Sequence, residues 1–507
     1  MAEDAIWNHV TGRQRLLATI ALASANFMVV LDMTVANVSV PHISGNLGIS
    51  PSQGTWVITS YAVAEAICVP LTGWLAQRFG TLRTYLTCVL GFGLFSVLCG
   101  LSVTLGMLVA CRVGQGLCGG PLIPLTQTLL MRIYPPEKRG QAMGTWAMTT
   151  IMAPVFGPIL GGYISDNWSW HWIFFINVPA VLFCVMATYS RLRPIETPIV
   201  KLPIDRVGIA LMILWIGALQ IMLDIGREHD WFADPIVLLL GIVALVGLIV
   251  FVIWELTEEH PVVDLRIFRY HGYTIAVLTL ALGFSLYMAG IVVIPQWMQL
   301  SLGYSATQAG IATAVTGVSG LLVARSVAKL ATRVDPRMLL SLAFLWIGCV
   351  TLLRINWTTD IDFFHLALPQ ALLGLGMPFF FIMSTTIAMG SVPPQQATSA
   401  AGLQNFLRII GMAAGTSIVM TYWGDQARVS GSELAGKLNT GAADTALAQA
   451  GFSADQTRAL IAQLVDKEAL TLATDKVFLV AGLLFCVTSI FIWLAPRPRS
   501  VTVQGGH

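Results

Sequence analysis

The sequence predicts an all-α polytopic membrane protein with about fourteen transmembrane helices. Three observations predict it. Apolar residues make up 56% of the 507-residue chain and charged residues only 11%, whereas a soluble chain carries roughly a quarter charged residues. Apolar runs of about 20 residues, the length that crosses the hydrocarbon core of a bilayer, recur from one end to the other. Lys and Arg concentrate in alternate connections between those runs, the bias that orients membrane helices.

The runs lie at 15–40, 54–75, 83–102, 106–131, 140–165, 171–190, 205–223, 235–255, 273–297, 306–330, 337–354, 365–389, 399–422 and 477–495. The first follows a polar stretch without a small-residue cleavage site, so it reads as an anchor and not a removable leader. With the N-terminus in the cytoplasm, cytoplasmic segments hold 18 of the 28 Lys and Arg residues. Outside segments then hold Arg227, Arg354, Arg428, Lys437, Arg458, Lys467 and Lys476. Both termini are therefore expected in the cytoplasm, as residues 1–14 and 496–507. Segment 424–476 is the one large polar interruption, expected as an extracytoplasmic loop. It contains short amphipathic helices at 442–450 and from Ser453, the latter an N-cap residue type. Partner docking and a merely solvated loop both remain open for it.

Net charge, +2, says little about partners; no nucleic acid is expected among them. The eight cysteines sit in or beside apolar runs, without metal-ligand or disulfide spacing. The eight histidines are scattered, and no H-E-x-x-H, G-x-S-x-G or phosphate-loop motif occurs. An enzyme is not expected, nor a metal or cofactor.

Charges within the apolar runs carry the functional signal. An acid near a helix centre costs around 3 kcal/mol on insertion, so it marks function by default. Asp32 lies in the first span, with Thr34 and Asn37 after it and Pro41 ending or kinking the helix near its far end. Glu65 lies midway along the second span. A carboxyl group held partly out of water takes up and releases a proton nearer neutrality, and two on adjacent helices titrate as a pair. Arg112, in the fourth span, stays charged and needs an acid, with Asp32 or Glu65 available. Arg325 has the option of snorkelling to the interface; Arg408 faces either a cavity or the interface.

The fifth span carries Pro154, Gly157, Pro158, Gly161 and Gly162. Proline bends a helix, and small residues four apart let another helix approach. A hinge or simple close packing would use the same residues. Trp146, Tyr287, Trp297 and Asn405 complete, with Thr34, Asn37 and Arg408, a candidate substrate cavity. For the aromatics, helix packing or an interfacial belt is the competing role.

These stretches resemble the major facilitator superfamily, and within it the fourteen-span drug:proton antiporters. "LDMTVANVSVP" resembles that group's first-span motif, "LVACRVGQG" its fourth-span motif and "GPILGG" its fifth-span antiporter motif. "WHWIFFINVP", "SQGTWVITSYAV", "PLTGWLAQRFG", "LIPLTQTLL", "LQIMLD" and "DWF" are similar to the EmrB-type multidrug exporters of Gram-negative bacteria. The resemblance implies a 6 + 2 + 6 helix arrangement: bundles at 15–190 and 273–495 with two inserted helices at 205–255. It implies alternating access around a central cavity, with proton exchange driving export of lipophilic compounds across the inner membrane and no cofactor. It also implies a periplasmic adaptor and an outer-membrane channel as partners, with 424–476 as the docking candidate. In that frame Asp32, Glu65 and Arg112 couple protons, and Gly73, Arg78, Gly80 and Arg83 form a cytoplasmic gate. The gate motif departs from the family at Gln77, where an Asp is usual; His171 stands where Arg is common. A proton-coupled transporter of one metabolite, which "GPILGG" argues against, and a non-transporting receptor or scaffold are the alternatives.

Overall fold

A computed structural model of the chain describes residues 10, 12–135, 138–189, 191–200, 203–226, 229–331, 334–437 and 452–496. Segment 442–450, most of 1–14 and of 496–507, and residues Lys201, Arg227 and Arg333 lie outside the described residues, as do the side chains of Pro158 and Arg325. The described residues fold into helices and connections, with no strand among them. Among the described residues, nine helices are long and apolar enough to cross a membrane, two bent pairs each add a further span, and three shorter apolar helices complete the set.

In chain order the spans are α1 (Gly12–Leu47), α2 (Trp56–Cys68 and Thr72–Phe79), α3 (Thr81–Gly100), α4 (Leu105–Ile133), α5 (Arg139–Asn167) and α6 (Trp172–Thr188). Then come α7 (Arg206–Ile225), α8 (Pro235–Thr257), α9 (His271–Ser301), α10 (Ala306–Leu330), α11 (Pro336–Leu352), α12 (Phe363–Gly390), α13 (Ala397–Lys437) and α14 (Ala454–Phe491).

Short polar residues at the breaks between apolar runs start these helices. Thr104 begins α4 by accepting from the Met107 N–H at 3.3 Å. Asp205 begins α7 by accepting from Gly208 at 2.8 Å. Asp234 and Asp335 cap α8 and α11, each followed by proline at the first helical position, where a missing N–H costs nothing. Ser453 and Gln456 form a reciprocal capping box at the start of α14. Each such cap is worth about 1 kcal/mol.

Prolines bend some spans and leave others running. The two pieces of α2 meet at 59° across Val69–Leu71, a break containing Pro70 that the apolar pattern does not reveal. α5 bends by 43° between Pro154 and Ile159. Pro41, expected to end or kink α1, does not end it: the helix continues to Leu47.

Two bundles result. In the first, α1 packs on α5, α6 and α4, α2 on α4, and α3 on α4 and α6. In the second, α9 packs on α13, α14 and α12, and α11 on α12 and α14. The bundles meet along a seam where α5 packs on α10 and α12, and α13 on α4 and on the second piece of α2. α7 and α8 pair with each other, and α7 leans on the first piece of α2. Ser417 of α13 holds that arrangement by donating to the Leu223 carbonyl at 2.7 Å. α8 is the most apolar span and the least buried, as suits a helix facing lipid.

Segment 424–476 departs from the expected loop. Most of its described residues belong to continuations of α13 and α14, which run 41 and 38 residues. The two extensions pack against each other: Trp423 donates to Thr474 at 2.9 Å, and Lys476 to Ser430 at 3.2 Å.

Candidate functional site

Five helices of the first bundle converge on one buried ion pair. Asp32 of α1 and Arg112 of α4 are 3% and 0% exposed, and Arg112 Nη1 donates to Asp32 Oδ2. The other carboxylate oxygen accepts from Gln115 Nε2 at 3.0 Å and from Asn177 Nδ2 at 2.8 Å. Gln115 Oε1 also accepts from Arg112 Nη1 at 2.8 Å. Arg112 Nε donates to the Val57 carbonyl of α2 at 3.0 Å. Ser96 of α3 accepts from both Gln115 and Asn177 and donates to the Phe174 carbonyl. The Arg112 guanidinium lies 4.2 Å from the Tyr61 ring centroid and 5.6 Å from that of Phe174. Three donors thus occupy the two carboxylate oxygens of Asp32, and charge-assisted hydrogen bonds of this kind are stronger than neutral ones. Of the two acids open to Arg112 in the sequence, the structure selects Asp32.

The glycines of α4 explain why Arg112 can reach that far. Gly116 and Gly120 follow it at helical spacing on the side facing α2. A Cβ at Gly116 would lie 2.5 Å from the Tyr61 carbonyl, and one at Gly120 2.8 Å from the Glu65 carbonyl. Only glycine lets the two backbones come this close.

A second group of polar residues lines the seam between the bundles. Glu65 of α2 is 1% exposed, and neither carboxylate oxygen has a hydrogen-bond partner among the described residues. Arg408 of α13 is 4% exposed, with its guanidinium 5.8 Å from the Trp146 ring and 5.6 Å from the Phe284 ring. Asn405, one turn earlier, donates to Gln127 of α4 across the seam at 2.9 Å. Arg408 Nε, Trp146 Nε1, Gln127 Nε2 and Asn405 Oδ1 also lack partners. Buried polar atoms are nearly always satisfied. Here such atoms come from both bundles: Glu65, Gln127 and Trp146 from the first, Asn405 and Arg408 from the second.

The hinge residues separate into tight and loose positions. A Cβ at Gly157 would lie 2.0 Å from Thr34 Oγ1, and one at Gly161 2.9 Å from the Val35 carbonyl. At Gly162 nothing lies nearer than 4.0 Å. Of the expected gate residues, Gly73 lies where α2 meets α13, while Gly80 and Arg83 lie against Glu196 of the connection after α6. Gly73 rests on Ser399, whose Oγ accepts from Gln77 Nε2 at 3.5 Å. The Arg78 guanidinium stacks 5.4 Å from the Trp74 ring. Gly80 has φ +92°, open to glycine but strained for other residues. The Arg83 N–H donates to Glu196 at 3.0 Å.

Other expected cavity residues stand elsewhere. Thr34 donates to the Leu31 carbonyl at 2.9 Å and packs on Gly157, so it joins α1 to α5. Asn37 is exposed. Trp297 is fully buried, stacked on Trp357 at 5.3 Å and donating to Thr471, which makes it core of the second bundle. Tyr287 is half-buried and stands near Arg354. Arg354, counted in an outside segment, is 1% exposed; it donates to Gln370 at 3.2 Å and packs over Trp357 and Phe478. Gln115 is the glutamine of the fourth-span motif, beside Arg112 and Gly116; Asn177, Ser96 and Gln127 belong to the sites without having been singled out. Gln115 and Asn177 do lie in the quoted motifs "LVACRVGQG" and "WHWIFFINVP". Among the described residues no group of three or more His, Cys, Asp or Glu could hold a metal ion.

Residues 22–416 match the family model described as Major Facilitator Superfamily. The chain is 41% identical over 501 residues to the multidrug export protein EmrB of Escherichia coli (strain K12), covering 98% of both chains. It is likewise 41% identical to the fatty acid resistance protein FarB of Neisseria gonorrhoeae, covering 96% of this chain and 97% of that one. Among solved structures, the proton:xylose symporter XylE superposes with a TM-score of 0.59 at 13% identity, covering 96% of each chain. That likeness concerns the fold alone.

Proposed function

The chain belongs to the major facilitator superfamily, and from that premise we propose that it is a proton-driven antiporter exporting lipophilic drugs or toxic compounds. It is a multi-pass membrane transporter, not an enzyme. The observation that carries the coupling mechanism is the Asp32–Arg112 pair, buried and cross-tied by Gln115 and Asn177. Asp32 is the proton carrier and Arg112 its charge sensor. When Asp32 takes a proton from outside, Arg112 is released toward Tyr61 and the pair no longer holds α1 against α4. Drug and proton then favour different states, which is all that exchange requires. The orphaned polar atoms around Trp146, Asn405 and Arg408 support a compound site at the seam. The Gly157–Gly162 segment supplies the close contact and bend around which α5 moves.

The protein works in the inner membrane with both termini in the cytoplasm, and the extensions of α13 and α14 project into the periplasm. There they dock an adaptor that leads to an outer-membrane channel. Their mutual packing gives a partner a rigid surface to grip.

The test uses purified protein in liposomes with an imposed pH gradient, following a lipophilic dye together with internal pH. Asp32→Asn is expected to bind dye but lose gradient-driven transport. Normal transport by Asp32→Asn would remove Asp32 from the mechanism.

A further inference from the structure

The Asp32–Arg112 pair lies wholly within the first bundle, on α1 and α4. Its charge state acts on helices that already move together. Alternating access moves one bundle against the other, and a charge pair spanning the seam would tie a proton to that motion. One pair of opposite charges is placed to do so. Glu65 belongs to the first bundle and Arg408 to the second, and both are buried at the seam. Arg408 is the foremost charge acting on Glu65; Arg112 of α4 and Asp32 of α1 follow, and Tyr61 stands on its own helix. Arg112 is already bonded to Asp32, Gln115 and Val57. The charges left without a bonded partner are therefore Glu65 and Arg408.

No hydrogen bond or ion pair joins these two groups, and both keep orphan atoms among the described residues. Trp146 of the first bundle and Phe284 of the second flank the Arg408 guanidinium. Asn405, one turn away on α13, is tied across the seam to Gln127. Gly120 brings α4 against the backbone of Glu65. Below them the seam is sealed, with Gly73 on Ser399 and Gly402 on Val69. A small closing motion of the open side would let the carboxylate and the guanidinium satisfy their orphan atoms on each other.

We propose that Glu65 and Arg408 form a latch between the two bundles, engaged when Glu65 is ionised and the site is empty, and released by a proton on Glu65 or by a bound compound. The latch stops the empty, deprotonated transporter from reorienting, which would otherwise leak the gradient without exporting anything. Arg408 acts through Glu65, so it is a positioning residue. This inference rests on the transport reading above.

The test measures distances between spin labels at Val103 and Leu300, exposed positions on the two bundles, in a cysteine-replaced background without substrate. As pH rises from about 5 to about 9, a range that spans titration of a buried carboxyl, the ratio of short to long distances is expected to rise at least fivefold. Glu65→Gln and Arg408→Gln should each flatten that response. The double variant should match either single one, as for groups acting as a unit. Arg408→Lys keeps the charge and should retain a weakened response, and it carries the test if Arg408→Gln does not fold. A wild-type response persisting in Glu65→Gln, or independent and additive effects of the two variants, overturns the latch. The distances need no transport. Normal export by Asp32→Asn would defeat the coupling reading while leaving this measurement intact, and loss of export with unchanged distances in Glu65→Gln would defeat only the latch.

Discussion

The Glu196 carboxylate, in the connection after α6, accepts from the Leu82 N–H at 2.9 Å and from the neighbouring Arg83 N–H at 3.0 Å. It thus caps α3 from a distant part of the chain. The N-terminus of a helix carries unpaired donors and a partial positive charge, both of which a carboxylate satisfies. Glu196→Ala is expected to destabilise the first bundle by about 1 kcal/mol, seen as a lower Tm in detergent. Glu196→Gln, which keeps an acceptor, should lose less.

Arg112 uses two nitrogens in three directions, toward Asp32, Gln115 and the Val57 carbonyl. A lysine ammonium at the end of a different stem cannot reproduce that fork. Arg112→Lys is expected to lower gradient-driven export at least about tenfold, since each lost charged hydrogen bond is worth roughly 1.5–3 kcal/mol. Export rates in liposomes at fixed pH gradient check this. An unchanged rate would mean that charge alone suffices.

Gly157 and Gly162 share a motif but not an environment. Gly157→Ala would drive a methyl group into Thr34, whose Oγ1 would lie 2.0 Å away. It should separate α1 from α5 and abolish export. Gly162→Ala meets nothing nearer than 4.0 Å and should export normally. Equal loss in both variants would refute the packing argument.

Trp146 and Trp297 make an equally sharp pair. Trp297→Phe should lose its bond to Thr471 and about 1 kcal/mol of stability, with the range of exported compounds unchanged. Trp146→Phe alters a ring that faces Arg408 at the seam, so it should change which aromatic compounds are exported. Competition assays with several dyes separate the two outcomes.

The spans were legible because bilayer crossing imposes a length and an apolar composition that each run displays on its own. The same logic exposed Asp32, Glu65 and Arg112, since a charge among apolar residues stands out without knowledge of its neighbours. Arg354 was hidden for the opposite reason. It sits just past the end of an apolar run, and only folding brings Trp357 and Phe478 over it. Gln115 was visible as part of the fourth-span motif, whereas Asn177, Ser96 and Gln127 are uncharged, so their sequence surroundings barely distinguish them. Their roles come from convergence of several helices on one point. The helix starting after Ser453 was legible from its cap, but that the extensions of α13 and α14 continue their spans was not, because they are polar. Polarity says that a segment leaves the membrane, not that its helix stops, and here two helices support each other beyond it.

At 1.5 Å per residue, the 41-residue α13 is about 60 Å long, roughly twice the thickness of a bilayer's hydrocarbon core. It is a continuous rod, with Arg408 at the seam near one end and its overhang at the other. A rod pivoting within the membrane turns a slight tilt at the seam into a larger sweep at its tip. A protein gripping that tip would feel each turnover as a push, and its resistance would act back along the same rod on the seam. Mechanical load at the overhang would therefore change the turnover rate with no contact to the transported compound.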